Sequence, residues 1–410
     1  MTVVVKRDGR KVDFNTKLIY DAVFKAAKSV GNVDYDSHNI AEEIQHKVLG
    51  KIKKGEVSVE DIQDFVEKSL MSSKYKEVAK GYISYRSERC RIRKKKDVYA
   101  KIGVDITSGN DKVSQRENSN IPRGTVTTQL EMIKRNYAKQ FAEDFIIPKK
   151  FNDAHNKGEI HLHDKESLIT KLPNCCLFDY PTMLKKGFQL GNKWIEEPTS
   201  ILTTMNVLVQ MVQAQSNLQF GGITLPDIDI HLGKYIISSY KKYLIDAIVD
   251  LRDVTEVEAE CMLTCSASIH PEDTLIISNF KRENEIAIRK TEKEVYKACK
   301  LLEYQMNTLQ IRGESSPFTT IGYGNSTTWE GRLLQRSILQ ERLDEFYISG
   351  VAEFPKHMMA VRAGVNLNEG DPNYDLFKFA NKVSAISCFP DYVFPENQEE
   401  HTGGSAFYMG

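Results

Sequence analysis

The distribution of apolar residues divides the chain into a short front part and a longer remainder. At the front, the β-branched run VVV at 3–5 and the segment VDF at 12–14 flank the polar stretch KRDGRK. Asp8-Gly9 in that stretch favours a two-residue hairpin turn, since both residues tolerate positive φ. Apolar residues then recur at helical spacing in four segments, one starting at Asn15 or Thr16 and another at Ser58. The pattern predicts a hairpin followed by four helices, up to about residue 96.

From about residue 125 the pattern changes to alternating helix-like and strand-like segments. SILTTMNVLVQMVQAQSNL has the length and apolar content of a buried helix. The pattern predicts strands in EIHLHD, PFTTIGYG and VAEFPKHMMAVRAG. Such alternation predicts an α/β architecture with a largely parallel sheet or barrel. We therefore predict a small domain at 1–96, a linker at 97–124 and a large domain at 125–410.

Composition narrows the class of protein. The 410 residues include 56 basic and 56 acidic side chains, so no net charge favours nucleic acid or a membrane surface. We read the basic stretch at 89–96 as a helix end before a linker rather than as a nucleic-acid site. No segment approaches the ~20 apolar residues of a membrane helix. The seven cysteines lack framework spacing and any CxxC pair, which favours reduced thiols in a cytosol.

The predicted hairpin turn concentrates basic side chains beside backbone N–H groups. Lys6, Arg7, Arg10 and Lys11 lie in or next to the turn, where charge-assisted hydrogen bonds can hold a polyphosphate. A solvated surface hairpin explains the same charges, and the charges alone do not decide between a phosphate site and a solvated hairpin.

Two stretches of the large domain carry candidate chemistry. LPNCCLFDY places Cys175 beside Cys176, and either both are small buried hydrophobes or one is a redox thiol. A disulfide between them is disfavoured because the intervening peptide strains the ring. GEIHLHD places His161 and His163 on one side of a predicted strand, where HxH can ligate a metal. No further Cys or His cluster completes such a site, so we expect no metal in this chain.

The front segment VVVKRDGRKVDFNTKLIYDAVFKAA, together with VAKGYISYR, resembles an ATP-cone, the small regulatory domain found in front of ribonucleotide reductases. The resemblance implies that ATP and dATP bind here as allosteric effectors. It assigns Lys6, Arg7 and Lys17 to the nucleotide phosphates. Lys17 falls in the first turn of a predicted helix, whose N-terminus attracts anions.

Seven motifs occur in order along the large domain: GEIHLHD, PNCCLFDYPTMLKKGFQLGN, EEPTSILTT, QSNLQFGGITLPDID, SSPFTTIGYGNSTTWEGRLLQRSIL, AEFPKHMMAVRAGVN and GDPNYDLFKFA. From about residue 115 to its last residue, the chain resembles the catalytic subunit of the anaerobic, class III ribonucleoside-triphosphate reductases. That resemblance implies a glycyl-radical enzyme built on a ten-stranded α/β barrel, of which this chain holds the first part. It also implies a homodimer, a radical-SAM activating enzyme, and a second effector site near 187–215.

The resemblance further implies a mechanism for reducing ribonucleoside triphosphates. In the family, a glycyl radical oxidises a loop cysteine, and the thiyl radical takes the 3′-hydrogen of the ribose. A second cysteine on a barrel strand supplies a hydrogen atom as the 2′-hydroxyl leaves as water. The NC of PNCCLF matches that strand, which makes Cys175 the reducing thiol and Cys176 a packing residue. The residues that the resemblance assigns to the substrate side are His161, His163 and Asn174. The pair Gly221-Gly222 in QFGGITL permits close approach of the backbone to a substrate group such as a phosphate.

The last residues, Met409-Gly410, resemble the lead-in to a Met-Gly-Cys-Arg motif that carries the thiyl cysteine in the family. We expect the gene to be interrupted there by an intron or an intein, and an arbitrary fragment is the alternative explanation. The thiyl cysteine, the radical glycine and a four-cysteine zinc site are then expected only in a missing C-terminal half, and the chain alone is expected to be inactive.

Three alternative hypotheses about the function of the chain name different classes of protein. The first is another glycyl-radical enzyme such as a formate-lyase, which the cone and the PFTTIGYG to AVRAGVN series oppose. The second is a nucleotide-sensing repressor with a zinc ribbon, which the lack of CxxC opposes. The third is a nucleotide-binding fragment of a split gene without independent catalysis.

Overall fold

The computed structural model describes residues 2–107, 126–170, 173–219, 221–264, 269–308 and 317–396. The chain divides into two compact units, Met1–Val104 and Asp105–Gly410. The predicted start of the linker at residue 97 lies inside a helix that runs from Lys76 to Thr107. Lysine, arginine and alanine are good helix formers, and residues 93–101 contain six of them, so the helix continues. The rest of the predicted linker up to residue 124, and Met409-Gly410, lie outside the described residues.

The first unit combines a small sheet with four helices. Its elements are β1 (Thr2–Val5), β2 (Lys11–Asp13), α1 (Lys17–Ser29), α2 (Asp34–Leu49), β3 (Gly55–Ser58), α3 (Val59–Met71) and α4 (Lys76–Thr107). β1 is the central strand, antiparallel to β2 and parallel to β3. The predicted hairpin and four helices are confirmed, whereas β3 is a strand that the sequence pattern missed. Its segment GEVS offers only one β-branched residue.

The hairpin turn is longer than predicted. Lys6 N–H donates to the Arg10 carbonyl (2.8 Å) and Gly9 N–H to the Lys6 carbonyl (2.9 Å), so the loop has three residues, 7–9. Of these three, only Gly9 has a positive φ, of 84°. Three-residue hairpin loops commonly combine a type I turn with one left-handed residue.

The predicted N-terminus of α3 is confirmed. Ser58 Oγ accepts a hydrogen bond from Asp61 N–H, and the Asp61 carboxylate accepts one from Ser58 N–H. Aspartate therefore completes a capping box here in place of the more common Glu or Gln.

The second unit is built around five parallel strands in the order β10-β9-β8-β7-β4. These strands are β4 (Cys176–Leu177), β7 (Ile223–Leu225), β8 (Thr319–Tyr323), β9 (Lys356–Ala360) and β10 (Asp391–Val393), and a separate hairpin contains β5 (Phe188–Leu190) and β6 (Lys193–Ile195). The α-helices are α5 (Val126–Phe141), α6 (Lys149–Asn156), α7 (Tyr180–Lys186), α8 (Ile201–Ser216), α9 (Ile228–His231), α10 (Gly233–Arg252), α11 (Glu256–Leu263), α12 (Thr274–Asn279), α13 (Lys281–Thr308), α14 (Trp329–Ser349) and α15 (Tyr374–Ser387). A π-helix (Ala142–Ile146) and a 3₁₀ helix (Lys165–Ile169) complete the unit.

The strand register assigns the side chains of this sheet to two faces. Laterally paired residues of parallel strands project to the same side, and successive residues alternate. One face, here called the helix-covered face, belongs to the core that includes residues of α8, α13 and α14. Its buried apolar members are Ile223, Leu225, Ile321, Tyr323 and Met359. Leu177, Thr224, Thr320 and Met358 project from the opposite face.

The predicted strand EIHLHD is wrong. Residues 161–164 form no regular element, and Asp164 takes a left-handed φ of 44° just before the 3₁₀ helix. Alternation of apolar and polar residues leads to a strand only where neighbouring strands accept the pairing. Here the buried Lys165 anchors the segment instead, with Nζ donating to Glu143 (2.8 Å) and Asn152 (3.0 Å).

Candidate active site and effector site

Cys175 lies at the amino end of β4, which is an edge strand of the five-stranded sheet. Its thiol is exposed, whereas Cys176 packs partly against the core on the helix-covered face. Burial raises the pKa of the Cys176 thiol above its usual value, and the neighbouring Cys175 adds to the rise. Cys176 is therefore held as a neutral thiol at neutral pH. The two adjacent cysteines differ in access to solvent and in environment.

Gly221 and Gly222 bring the backbone leading into β7 against Cys175. Gly222 N–H donates to Cys175 Sγ (3.3 Å), and Gly221 N–H donates to the Asn174 carbonyl (2.5 Å). A Cβ added to Gly221 would lie 2.4 Å from both Cys175 Sγ and Asn174 Oδ1. The close approach that a glycine pair permits is thus made to Asn174 and Cys175, and these four residues form one constellation.

Gln219 binds the backbone of the two glycines from the core side, and the sequence analysis did not identify this residue. Its side chain is almost completely buried, and Nε2 donates to the carbonyls of Gly221 (3.1 Å) and Gly222 (2.8 Å). Gln215 Nε2 in turn donates to Gln219 Oε1 (2.8 Å). Buried amides require partners, but the pattern of the sequence does not distinguish this glutamine from others near α8.

The two histidines of GEIHLHD lie near each other and near His155. His161 Nε2 is 3.5 Å from His163 Nδ1, and the rings of His155 and His161 are 5.6 Å apart between centroids. Within the described residues, neither His161 nor His163 hydrogen-bonds to Cys175. The same part of the chain contains no group of three or more His, Cys, Asp or Glu side chains suited to a metal ion.

A second polar cluster joins the carboxyl ends of the strands, and no sequence motif predicted it. Asp229 Oδ2 accepts from Gly324 N–H (3.0 Å), Ser326 N–H (2.8 Å) and Gln335 Nε2 (2.8 Å). Burial raises the pKa of this carboxyl to about 6, against the lowering effect of the backbone hydrogen bonds. Asn366 Nδ2 donates to the carbonyls that follow β8 and end β9. The ends of β7, β8 and β9 are therefore tied together by side chains.

In the first unit, a cavity of about 160 Å³ opens between the sheet and the helices. Apolar residues form most of its lining, with Lys6, Asp13, Asn15, Gln63 and Tyr82 as polar members. Burial raises the pKa of Tyr82 to about 12, so its hydroxyl stays protonated. Lys6 forms no ion pair with any described residue. Lys17 is exposed in the first turn of α1 and does not line this cavity.

Arg7 is bound by an acidic cluster on α3. Its Nε donates to Glu60 Oε1 (2.6 Å), and the other oxygen of Glu60 accepts from Arg86 of α4 (3.1 Å). Arg86 also pairs with Asp64 (2.6 Å) and Glu67 (2.8 Å). Burial alone would raise the pKa of Glu60, but the hydrogen bonds from Arg7 and Arg86 lower it below its usual value. Glu60 therefore links the hairpin to α4.

Residues 117–410 match the family model described as anaerobic ribonucleoside-triphosphate reductase, which is well over half of the chain. The chain belongs to this family. Residues 2–91 match the ATP cone domain model. The family and its N-terminal cone were both predicted from the motifs, and both predictions are confirmed. The α/β fold class is confirmed as well, with the cone followed by a parallel sheet.

Named relatives in the family extend well beyond this chain. The anaerobic ribonucleoside-triphosphate reductase of Haemophilus influenzae is 32% identical over 415 residues, which cover 99% of this chain and 54% of the relative. That of Enterobacteria phage T4 is 32% identical over 291 residues, covering 70% of this chain and 43% of the relative. The chain thus spans about half the length, or less, of these relatives.

Among solved structures, the anaerobic ribonucleotide reductase from Thermotoga maritima in complex with dATP and CTP is similar over 69% of this chain and 44% of that chain. Its sequence identity to this chain is 14%, and the TM-score is 0.44.

In the part of this chain that the structure describes, no helix has both the length and the apolar content needed to cross a bilayer.

Proposed function

We propose that the complete protein reduces ribonucleoside triphosphates to 2′-deoxyribonucleoside triphosphates, and that Cys175 is its reducing thiol. The observation that supports this most is the exposed Cys175 thiol at the amino end of β4, held against the glycine pair. The family supplies glycyl and thiyl radicals from residues outside this chain. In the proposal, the Cys175 S–H donates a hydrogen atom to the ribose carbon that loses its 2′-hydroxyl as water. Formate or a thiol protein then restores the thiol.

The proposal extends to the partners of the complete enzyme. We propose three such partners: a radical-SAM activating enzyme, a second copy of the chain, and the remaining half of the family's length. We also propose a cytoplasmic location, which six free cysteines among the described residues support, since reducing compartments keep thiols unpaired. On the substrate side, Asn174, Gly221 and Gly222 adjoin the thiol, whereas the roles of His161 and His163 rest on the family resemblance.

The test compares serine substitutions of the two adjacent cysteines. In enzyme reconstituted from this chain and the remaining half, Cys175→Ser abolishes formation of deoxyribonucleotides, because an alcohol O–H is too strong a bond to give up its hydrogen atom. Cys176→Ser is the matched control, since Cys176 packs on the other side of the strand, and we expect it to retain turnover. Normal turnover by the Cys175→Ser enzyme would refute the assignment, and an inactive Cys176→Ser enzyme would reverse it.

We further propose that ATP and dATP bind the first unit as effectors. Lys6 lines the cavity without a carboxylate partner in the described residues, so its charge is available to a phosphate. Arg7 adjoins it on the same hairpin. Lys17 is a cation at a helix N-terminus, where the dipole disfavours positive charge and favours a bound anion.

Calorimetry on the full 410-residue chain tests this site. Charge-assisted hydrogen bonds are worth about 1.5 to 3 kcal/mol, so Lys6→Ala should weaken ATP binding about ten- to a hundredfold. Lys11→Ala is the matched control, because Lys11 lies on the same hairpin but pairs with Glu56 and does not line the cavity. The absence of ATP and dATP binding, or equal effects of the two substitutions, contradicts the proposal.

A further inference from the structure

Gln219 connects the core of the second unit to the backbone beside Cys175. It follows α8 by three residues, and its exposed fraction is 1%. One amide nitrogen, Nε2, donates to two consecutive carbonyls, those of Gly221 (3.1 Å) and Gly222 (2.8 Å). The Gly222 carbonyl also accepts the backbone N–H of Cys176 (3.1 Å). The glycine pair is therefore fixed from the core by a side chain and from β4 by a ladder hydrogen bond.

Fixation matters here because glycine has the widest choice of backbone conformations. A Gly-Gly segment without side chains has no packing of its own to hold it in one conformation. Yet the Gly222 N–H must be directed at Cys175 Sγ for their 3.3 Å contact to form. The peptide that carries this N–H also carries the Gly221 carbonyl, and the Gly222 carbonyl belongs to the next peptide, so Gln219 binds both peptides that meet at Gly222. The direction of the Gly222 N–H thus depends on the side-chain amide of Gln219.

We propose that Gln219 is a positioning residue for the Cys175 thiol. By binding the Gly221 and Gly222 carbonyls, it keeps the Gly222 N–H directed at Sγ. A donor on that side occupies a lone pair of the sulfur, so the hydrogen of the S–H group points elsewhere, toward the exposed side. The inference deepens the proposed function, because it names what orients the hydrogen that Cys175 is proposed to donate.

The same contact has a second effect that can be measured without reductase activity. A backbone N–H that donates to sulfur stabilises the thiolate more than the neutral thiol, as hydrogen bonds to a charged form do. Alkylation rates follow the thiolate fraction. The pH at which alkylation reaches half of its plateau therefore reports on the Gly222 donor, whereas the plateau itself reports on access to the sulfur.

The experiment uses the full 410-residue chain in a Cys176→Ala background, which removes the titratable neighbour on β4. The described residues placed closest to the thiol, Asn174, Gly221 and Gly222, carry no titratable side chain. Alkylation of Cys175 by iodoacetamide is followed from about pH 6 to pH 10, a range that brackets the titration of ordinary thiols, by peptide mass spectrometry. The exposed Cys388 serves as the internal reference thiol. The variant is Gln219→Met, which keeps the length of the side chain and removes its hydrogen bonds.

In Gln219→Met, we expect the midpoint of the Cys175 profile to rise by about 0.5 to 1 pH unit, with about three- to tenfold slower alkylation at neutral pH. The plateau and the Cys388 profile should not fall. Gln210→Met is the matched control, because Gln210 is an exposed glutamine on α8, and it should leave the midpoint unchanged.

A role limited to fold stability would lower the unfolding temperature or change the plateau and leave the midpoint in place, and that result overturns the proposal. If Gln219→Met does not fold, Gln215→Met removes the donor to Gln219 Oε1, and it should give a smaller shift in the same direction. An unchanged midpoint in that variant also overturns the proposal. Loss of the Cys175 role in turnover would contradict the proposed function and leave this result standing.

Discussion

Replacing Gly221 by alanine tests the close packing around Cys175 most directly. The added Cβ would lie 2.4 Å from Cys175 Sγ, 2.4 Å from Asn174 Oδ1 and 2.8 Å from the Asn174 carbonyl oxygen. Optimal contacts between such atoms are near 3.5 Å or longer. The Asn174 and Cys175 side chains can rotate away, but the Asn174 carbonyl belongs to the backbone and accepts the Gly221 N–H. The substitution must therefore move the start of β4 away from β7.

The size of the effect follows from overpacking. Forcing extra atoms into a packed site costs about 1 to 3 kcal/mol, so we expect Gly221→Ala to lower the free energy of unfolding by that amount. Gly222→Ala is a strict control on the next residue, since its Cβ would meet Phe318 atoms at 3.6 Å and 3.8 Å, which are ordinary contacts. That variant should remain within about 0.5 kcal/mol of the parent.

Tryptophan fluorescence during denaturation by urea provides the assay. The two tryptophans of the chain, Trp194 and Trp329, both belong to the second unit, so the signal does not depend on the cone. Alkylation of Cys175 is measured in parallel, and only Gly221→Ala should change its rate. Equal losses of stability in the two alanine variants, or an unchanged Cys175 rate in Gly221→Ala, would refute the packing described for this site.

Two further outcomes follow from the charged clusters. Glu60→Gln releases Arg7 from an exposed ion pair worth up to about 1 kcal/mol and should raise the affinity for ATP about two- to fivefold in calorimetry. Glu67→Gln should not, and equal effects would mean that Arg7 does not reach the phosphates. Burial raises the pKa of Asp229 to about 6, so between about pH 4 and pH 6 the folded chain keeps a proton that the unfolded chain has released. Relative to Asp229→Asn, parent stability should therefore fall by roughly 2 kcal/mol from pH 4 to pH 7 in urea titrations, whereas a pH-independent difference would contradict the burial of this charge.

Elements whose signals are local were predicted correctly. The helix start at Ser58 depends on residues three apart, and the segment that forms α8 has the length and apolar content of a buried helix. Short strands were predicted poorly. β4 has two residues and β7 has three, and at that length the apolar pattern alone does not predict a strand; only the family resemblance placed Cys175 on one. EIHLHD shows the opposite error, because its alternation suggested a strand that no neighbour pairs with.

The candidate site divides in the same way. The motifs identified Cys175 and the glycine pair, and the structure brings them into contact. The role of Gln219 depends on hydrogen bonds to carbonyls that are two and three residues away in a folded turn, and a glutamine in a sequence carries no sign of such bonds. Asp229 contacts Gly324 and Ser326, more than ninety residues along the chain. Such long-range polar contacts arise only from the tertiary fold.

Side-chain hydrogen bonds join the carboxyl ends of β7, β8 and β9, whereas β4 joins the sheet by a short pairing. At the carboxyl ends, the side chains of Asp229 and Asn366 bind several backbone groups at once. At the amino ends, β4 pairs with β7 through only two residues. Local opening takes place where few contacts resist it. Opening of this two-residue pairing would separate Cys175 from the glycine pair, whereas the side chains at the carboxyl ends would still hold β7, β8 and β9 together.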